Sequence, residues 1–315
     1  MADYKSIKGT KIQNYTTDPD NPLTGQVWYN ETDQVLKVNA GPIVSAWATG
    51  GDLNTARRNL AGAGTQTAGL GFGGYAPPTT GETESYNGTS WTEVNDLNTA
   101  RQLLAGAGTQ TAALAFGGLP ATGATESWNG TSWTEVNDLN TVRWRLAGAG
   151  TNTAALAFGG LIPPFSAETE SWNGTSWTEV NDLNTARQLL AGAGTQTAAL
   201  AFGGQPSQTI TESWNGTSWT EVNDLNSGRT NLAGAGTDNT SALAFGGNLP
   251  PVTGATESWN GTSWTEVNDL NTAREQLAGA GIQTAALAFG GNAPPNTGAT
   301  EEFSETGGNK TITSS

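Results

Sequence analysis

The residues of this chain that are able to do chemistry return at fixed intervals. An Asp opens the tripeptide Asp-Leu-Asn at positions 52, 96, 138, 182, 224 and 269, and five residues after each stands an arginine: Arg57, Arg101, Arg143, Arg187, Arg229 and Arg274. A glutamate precedes most of these aspartates by three positions, as Glu93 precedes Asp96. Paired carboxylates could run acid–base hydrolysis, carboxylates with backbone oxygens could hold calcium, and a ring of guanidinium groups could bind an anion. Repetition argues against the first, because an active site is asymmetric and these pairs recur unchanged. No calcium-loop pattern is recognisable for the second. For the arginines two readings stand side by side: an anion-binding ring, or structural residues that span adjacent repeats through hydrogen bonds to carbonyls and carboxylates.

The chain of 315 residues has no histidine and no cysteine, which removes imidazole bases, thiolate nucleophiles, disulfides and the usual zinc and copper ligands. With 28 acidic against 13 basic residues the net charge is −15, so a phosphate backbone or an anionic bilayer is repelled. Neither nucleic acid nor membrane is expected as a partner, and no enzyme activity, metal or cofactor is expected either. The opening "MADYKSIKGTKIQNYTTD" is polar and lacks the apolar core of a signal peptide, and no later run is long enough to span a bilayer. A soluble protein is expected, delivered outside a cell, if at all, by a route such as viral lysis.

The elements that must position these residues are strands. "NGTSWTEVNDLNTAR" stands at Asn87, Asn173 and Asn260, with close variants from Asn129 and Asn215, and the Asp-to-Asp spacings are 44, 42, 44, 42 and 45. Such a period marks a solenoid or propeller. The 43 glycines and the alternating apolar pattern speak against helical repeats. "LAGAGT" and "AALAFGG" read as two strands joined by a turn such as "TQT", and "ATESW" and "SWTEV" as two more joined at Asn-Gly, where a type I′ hairpin is expected. The first pair is Ala/Gly-rich and the second carries tryptophan, the gradient a wedge-shaped blade requires. The repeated tryptophans read as packing between blades or as a sugar-stacking platform. Asn-Gly-Thr also matches a glycosylation sequon, for which hairpin chemistry is a sufficient explanation.

This pattern resembles the kelch repeat: a Gly-Gly doublet closing the second strand (Gly117-Gly118), an aromatic on the third (Trp128), a Trp on the fourth (Trp133) and an Arg opening the next unit (Arg143). The resemblance covers roughly residues 45–303. WD40 repeats fit less well, since their Gly-His element cannot exist here. The kelch-like copper oxidases carry histidine and cysteine-linked tyrosine ligands that this chain lacks. The resemblance implies an all-β, six-bladed kelch-like β-propeller with four antiparallel strands per blade.

Six Gly-Gly doublets follow Phe72, Phe116, Phe158, Phe202, Phe245 and Phe289, and the third-strand aromatics are Tyr86, Trp128, Trp172, Trp214, Trp259 and Phe303. The fourth-strand series is Trp47, Trp91, Trp133, Trp177, Trp219 and Trp264, so its first member precedes the first unit. An N-terminal outer strand around Trp47 is therefore expected to complete the blade of Phe303, which would protect edges that otherwise template aggregation.

Residues 1–44 fit no blade. "GQVWYNETDQVLKVN" alternates like a small hairpin turning near Asn30 to Asp33, and residues 304–315 are expected as a loose tail or an added edge strand. Gly25, Val27-Trp28-Tyr29-Asn30 and Leu36-Lys37 are similar to an N-terminal segment of tail-fibre and other virion proteins of marine bacteriophages, some of which carry kelch-like arrays. That resemblance implies a virion structural protein that docks other virion proteins through this segment and displays the propeller toward host-surface glycans. A homo-oligomer is compatible with it. The alternative is a free bacterial lectin-like or scaffold propeller.

Variation among the copies sorts by position. The loops after the Gly-Gly doublets read "YAPPTTGE", "LPATGA", "LIPPFSAE", "QPSQTI", "NLPPVTGA" and "NAPPNTGA". The pairs Arg58-Asn59, Gln102-Leu103, Trp144-Arg145, Gln188-Leu189, Thr230-Asn231 and Glu275-Gln276 also differ. Up-and-down strands bring both sets to one face, where Arg58, Tyr75, Trp144, Arg145 and Phe165 are candidate ligand contacts. The alternative is that loops vary because nothing constrains them.

Overall fold

The computed structural model describes residues 12–312, so part of the N-terminal segment and the end of the tail lie outside the described residues. The described residues contain strands and no helix, arranged as seven four-stranded sheets. The chain divides into two compact units, Met1–Ser45 with Glu305–Ser315, and Ala46–Ser304.

In the first unit, β1 (Gln13–Tyr15), β2 (Val27–Asn30) and β3 (Val35–Asn39) lie side by side, and Asn309–Thr311 adds a fourth strand antiparallel to β3. β2 and β3 form the hairpin seen in the alternating pattern, with Asn30 opposite Val35. Asn30 fixes its turn by accepting the Thr32 and Asp33 amides at 3.0 and 2.9 Å. β1 pairs parallel to β2, an element the polar run around it does not announce.

The second unit repeats one sheet. In its first copy β4 (Val44–Thr49) precedes β5 (Ala61–Thr65), β6 (Ala68–Phe72), β7 (Thr83–Tyr86) and β8 (Trp91–Val94), and β5 to β8 form an antiparallel sheet in chain order. The sheets that begin at Ala105, Ala147, Ala191 and Ala233 repeat it. The sheet of Ala278–Ile282, Ala285–Phe289 and Thr300–Thr306 takes β4 as its fourth strand. This arrangement of repeated four-stranded sheets is consistent with a β-propeller.

The composition of each strand follows from what it touches. The first strands of successive sheets lie next to one another, and the Ala278–Ile282 strand lies next to β5. Backbones approach closely there: a Cβ on Gly106 would sit 2.6 Å from the Phe72 ring and 2.9 Å from the Gly62 carbonyl oxygen, so only glycine fits. Farther along each sheet the tryptophans close the interface. Trp133 packs on Phe72 of the preceding sheet with centroids 4.9 Å apart and donates its indole N–H to Thr83 Oγ1 of that sheet at 3.0 Å. Trp91, Trp177, Trp219, Trp264 and Trp47 do the same with Thr300, Thr125, Thr169, Thr211 and Thr256. These indoles are buried between sheets and offer no platform to a sugar.

The Asn-Gly turns differ from the expected type I′ geometry. Positive φ falls on Gly88 (+87°) and not on Asn87, whereas a type I′ turn needs positive φ at both central residues. The reason is the Asn side chain, which accepts the Thr89 and Ser90 amides at 3.0 and 2.9 Å and must stand before the turn to reach them.

Candidate functional site

The repeated Asp, Asn, Glu and Arg build the support beneath the variable face. Arg101, at the start of the second repeated sheet, is fully buried and pairs with Glu126 on that sheet's third strand at 3.1 Å. Arg143–Glu170, Arg187–Glu212 and Arg229–Glu257 pair at 3.1, 3.2 and 3.1 Å, and Arg57–Glu84 and Arg274–Glu301 complete the series. Glu126 also accepts the Asn98 backbone amide at 2.7 Å and its side-chain amide at 2.8 Å. Asp96 accepts the Thr83 amide of the preceding sheet at 3.1 Å. Asp-Leu-Asn thus holds one sheet with its first residue and the next with its last. Burial pulls the Arg101 and Arg143 guanidinium groups below the usual arginine range, with Glu126 and Glu170 opposing it, and takes Arg187 down to about 10. At that value Arg187 stays cationic at neutral pH.

This corrects the expectation that the arginine side chains span adjacent repeats: each guanidinium bonds within its own sheet, because the third-strand glutamate of that sheet and carbonyls such as Ala115 O, 3.3 Å from Arg101, surround it. The backbone makes the crossing instead. Gly74, Gly118, Gly160, Gly204, Gly247 and Gly291 donate to the carbonyls of Arg101, Arg143, Arg187, Arg229, Arg274 and Arg57. These six guanidinium groups face carboxylates in the interior and not an external anion. The glutamates were missed as functional partners, although the sequence carries their signal: Thr-Glu opens every third strand, at Thr83, Thr125, Thr169, Thr211, Thr256 and Thr300.

Directly above, the two variable sets meet as backbone partners. Arg58, Gln102, Trp144, Gln188, Thr230 and Glu275 form antiparallel bridges with Tyr75, Leu119, Leu161, Gln205, Asn248 and Asn292, each the first residue of a variable loop. The residue after each bridge has positive φ: Asn59, Leu103, Arg145, Leu189, Asn231 and Gln276, between 55° and 59°. The amides of Leu103, Arg145, Leu189, Asn231 and Gln276 donate to the carbonyls of Asn59, Leu103, Arg145, Leu189 and Asn231, and the Asn59 amide donates to Gln276. These residues, with the buried leucines that follow them, line a shared small cavity.

Of the candidate contacts, Arg58 and Tyr75 are brought together: beyond their backbone bridge, the Arg58 guanidinium carbon lies 5.1 Å from the Tyr75 ring centroid. Both line a groove of about 570 Å³ with Ala56, Pro77, Asn292 and Pro295. Arg145 lies in the lining of the small cavity and donates to Gln188 Oε1 of the next sheet at 3.2 Å. Trp144 and Phe165 are half-buried in a different sheet from Arg58 and Tyr75, Trp144 bridging to Leu161 and Phe165 lying farther along that loop. Among the described residues no group of three or more carboxylates is placed to hold a metal ion.

The chain matches no protein-family model and no curated protein.

Proposed function

We propose that the repeated sheets are the blades of one closed, six-bladed, kelch-like propeller, and that the protein is a non-enzymatic structural component of a bacteriophage virion, a tail-fibre or surface-decoration protein whose propeller binds host-surface glycans. Closure is supported by β4 lying beside the third strand of the last sheet, by Trp47 packed at a tilt against Phe303 with centroids 5.2 Å apart, and by the Asn59 amide returning to Gln276. One observation carries the binding reading: residues that differ between copies are backbone partners on one face, while the residues beneath them are repeated. Arg, Tyr and Trp are among the residues at those bridged positions, and such side chains stack on sugars.

The virion reading rests on the resemblance carried by Gly25, Trp28, Asn30 and Lys37. In the first unit Trp28 is fully buried, and Trp28, Asn30 and Lys37 all converge on Asp18, at 3.2, 2.8 and 3.1 Å. These residues form the centre of a small folded element suited to attachment. Purified particles test this: stoichiometric presence of the chain supports it, and its absence favours the free bacterial propeller. A glycan array tests recognition on the same protein, and no binding to any host-derived saccharide would remove that part of the reading.

A further inference from the structure

We infer that the groove between the first and last repeated sheets is a binding site for an acidic saccharide, with Arg58 receiving its carboxylate; this rests on the glycan-binding reading above and narrows it. The groove is walled by Ala56, Ala76, Pro77, Pro294 and Pro295, and its polar groups are Arg58, Asn292 and Asn296. Flat, rigid apolar walls suit the C–H face of a sugar ring, and about 570 Å³ accommodates a small oligosaccharide.

The distinguishing feature is the charge. The six repeated arginines are each committed to a buried glutamate, and Lys37 to Asp18 and Asp33. Among the described residues Arg58 and Arg145 make no ion pair, and Arg145 donates to Gln188 Oε1 at 3.2 Å, which leaves Arg58 as the arginine whose side chain has no acceptor. Its terminal guanidinium nitrogens make no hydrogen bond among the described residues, and the group is held over the Tyr75 ring. Glu275, whose backbone bridges to groove residue Asn292, does not serve it: that carboxylate accepts Asn231 and Asn248 amides of the preceding sheet at 3.0 and 3.1 Å. Asn296 braces the groove by donating to the Tyr75 carbonyl at 2.8 Å. A guanidinium fixed by an aromatic ring, with donors unspent and rigid walls beside it, is suited to a planar carboxylate on an otherwise neutral ring.

The test is titration of the full chain with oligogalacturonate and with maltohexaose, a neutral oligosaccharide, by calorimetry at low and at physiological salt. Binding of oligogalacturonate with at least about tenfold preference, weakened about tenfold by R58Q and less by R58K, is the expected result. Equal binding of the two sugars, or oligogalacturonate binding unchanged in R58Q, overturns the acidic-saccharide inference and leaves glycan binding standing. Binding of neither, with host glycans also silent on the array, overturns both. Thermal melting of R58Q shows whether a loss is one of recognition. Should R58Q fail to fold, R58K and Y75L decide: weaker oligogalacturonate binding by either variant with parent-like melting supports the inference, and unchanged affinity in both overturns it.

Discussion

Tyr86 donates its phenolic hydrogen to Glu302 Oε1 across 2.6 Å, joining the first and last repeated sheets over 216 positions of sequence. Both residues depart from the repeat at their positions: the other sheets carry Trp or Phe where Tyr86 stands, and Ser where Glu302 stands. The pair marks one interface among otherwise near-identical ones.

Removing that hydrogen bond with Tyr86→Phe should cost about 1.5–3 kcal/mol, the range for a bond to a charged group, measured by chemical denaturation. Burial, then Glu302, pushes the Tyr86 phenol well above its ordinary value of 10. An acid whose folded value is raised contributes nothing unfavourable below pH 10 and destabilises the fold as pH rises beyond it. The parent should therefore lose stability above pH 10 more steeply than Tyr86→Phe, and equal slopes would contradict the assignment.

Glu126→Gln should destabilise the second repeated sheet by about 3–5 kcal/mol, because it leaves the buried Arg101 without a counter-charge. The double variant Arg101→Met with Glu126→Leu should recover much of that loss. A single variant as stable as the parent would show that Asn98 and the surrounding carbonyls suffice.

Adjacent leucines should respond differently, Leu189 tolerating replacement and Leu190 not. Leu189 is half-buried with φ of +58°, a conformation costing an L-residue roughly 1–2 kcal/mol, and Asn59 and Asn231 occupy the same place in other repeats. Leu189→Asn should be neutral or raise stability by about 0.5 kcal/mol. Leu190→Ala, in the buried core, should cost about 2–5 kcal/mol. Thermal melting of the two variants separates them.

The N-terminal unit should loosen in acid. Burial raises the Asp18 value, but hydrogen bonds from Asn30, Lys37 and Trp28 and the charge of Lys37 outweigh it and hold the carboxyl below its ordinary 3.8. A carboxyl with a depressed folded value contributes stability that is complete above about 3.8 and lost as pH falls through the folded value. Hydrogen exchange of residues 27–39 should accelerate in that window, and Asp18→Asn should remove the pH dependence.

The repeat length, the four strands and the position of Trp47 were legible because period and alternation survive in the letters of near-identical copies. The variable face was legible for the same reason: differences stand out against repetition. What was not legible depended on three-dimensional neighbours. The recurrence of Thr-Glu singles the glutamate out, but its letters do not say that it turns inward to the arginine of its own sheet, since on a strand the same residue could face solvent. The geometry at Gly88 depended on where the Asn87 side chain could reach. Repetition separates Arg57 from its variable neighbour Arg58, but the partners of each, Glu84 for Arg57 and the Tyr75 ring for Arg58, appear only in the fold.

The loop of amide-to-carbonyl bonds through Asn59, Leu103, Arg145, Leu189, Asn231 and Gln276 employs main-chain atoms alone. The bonds themselves do not depend on which side chain stands at those sites, and asparagine, leucine, arginine and glutamine occupy equivalent places, within the limit set by their positive φ. Side chains on this rim can therefore be exchanged one at a time while the ladder of bonds that carries them persists.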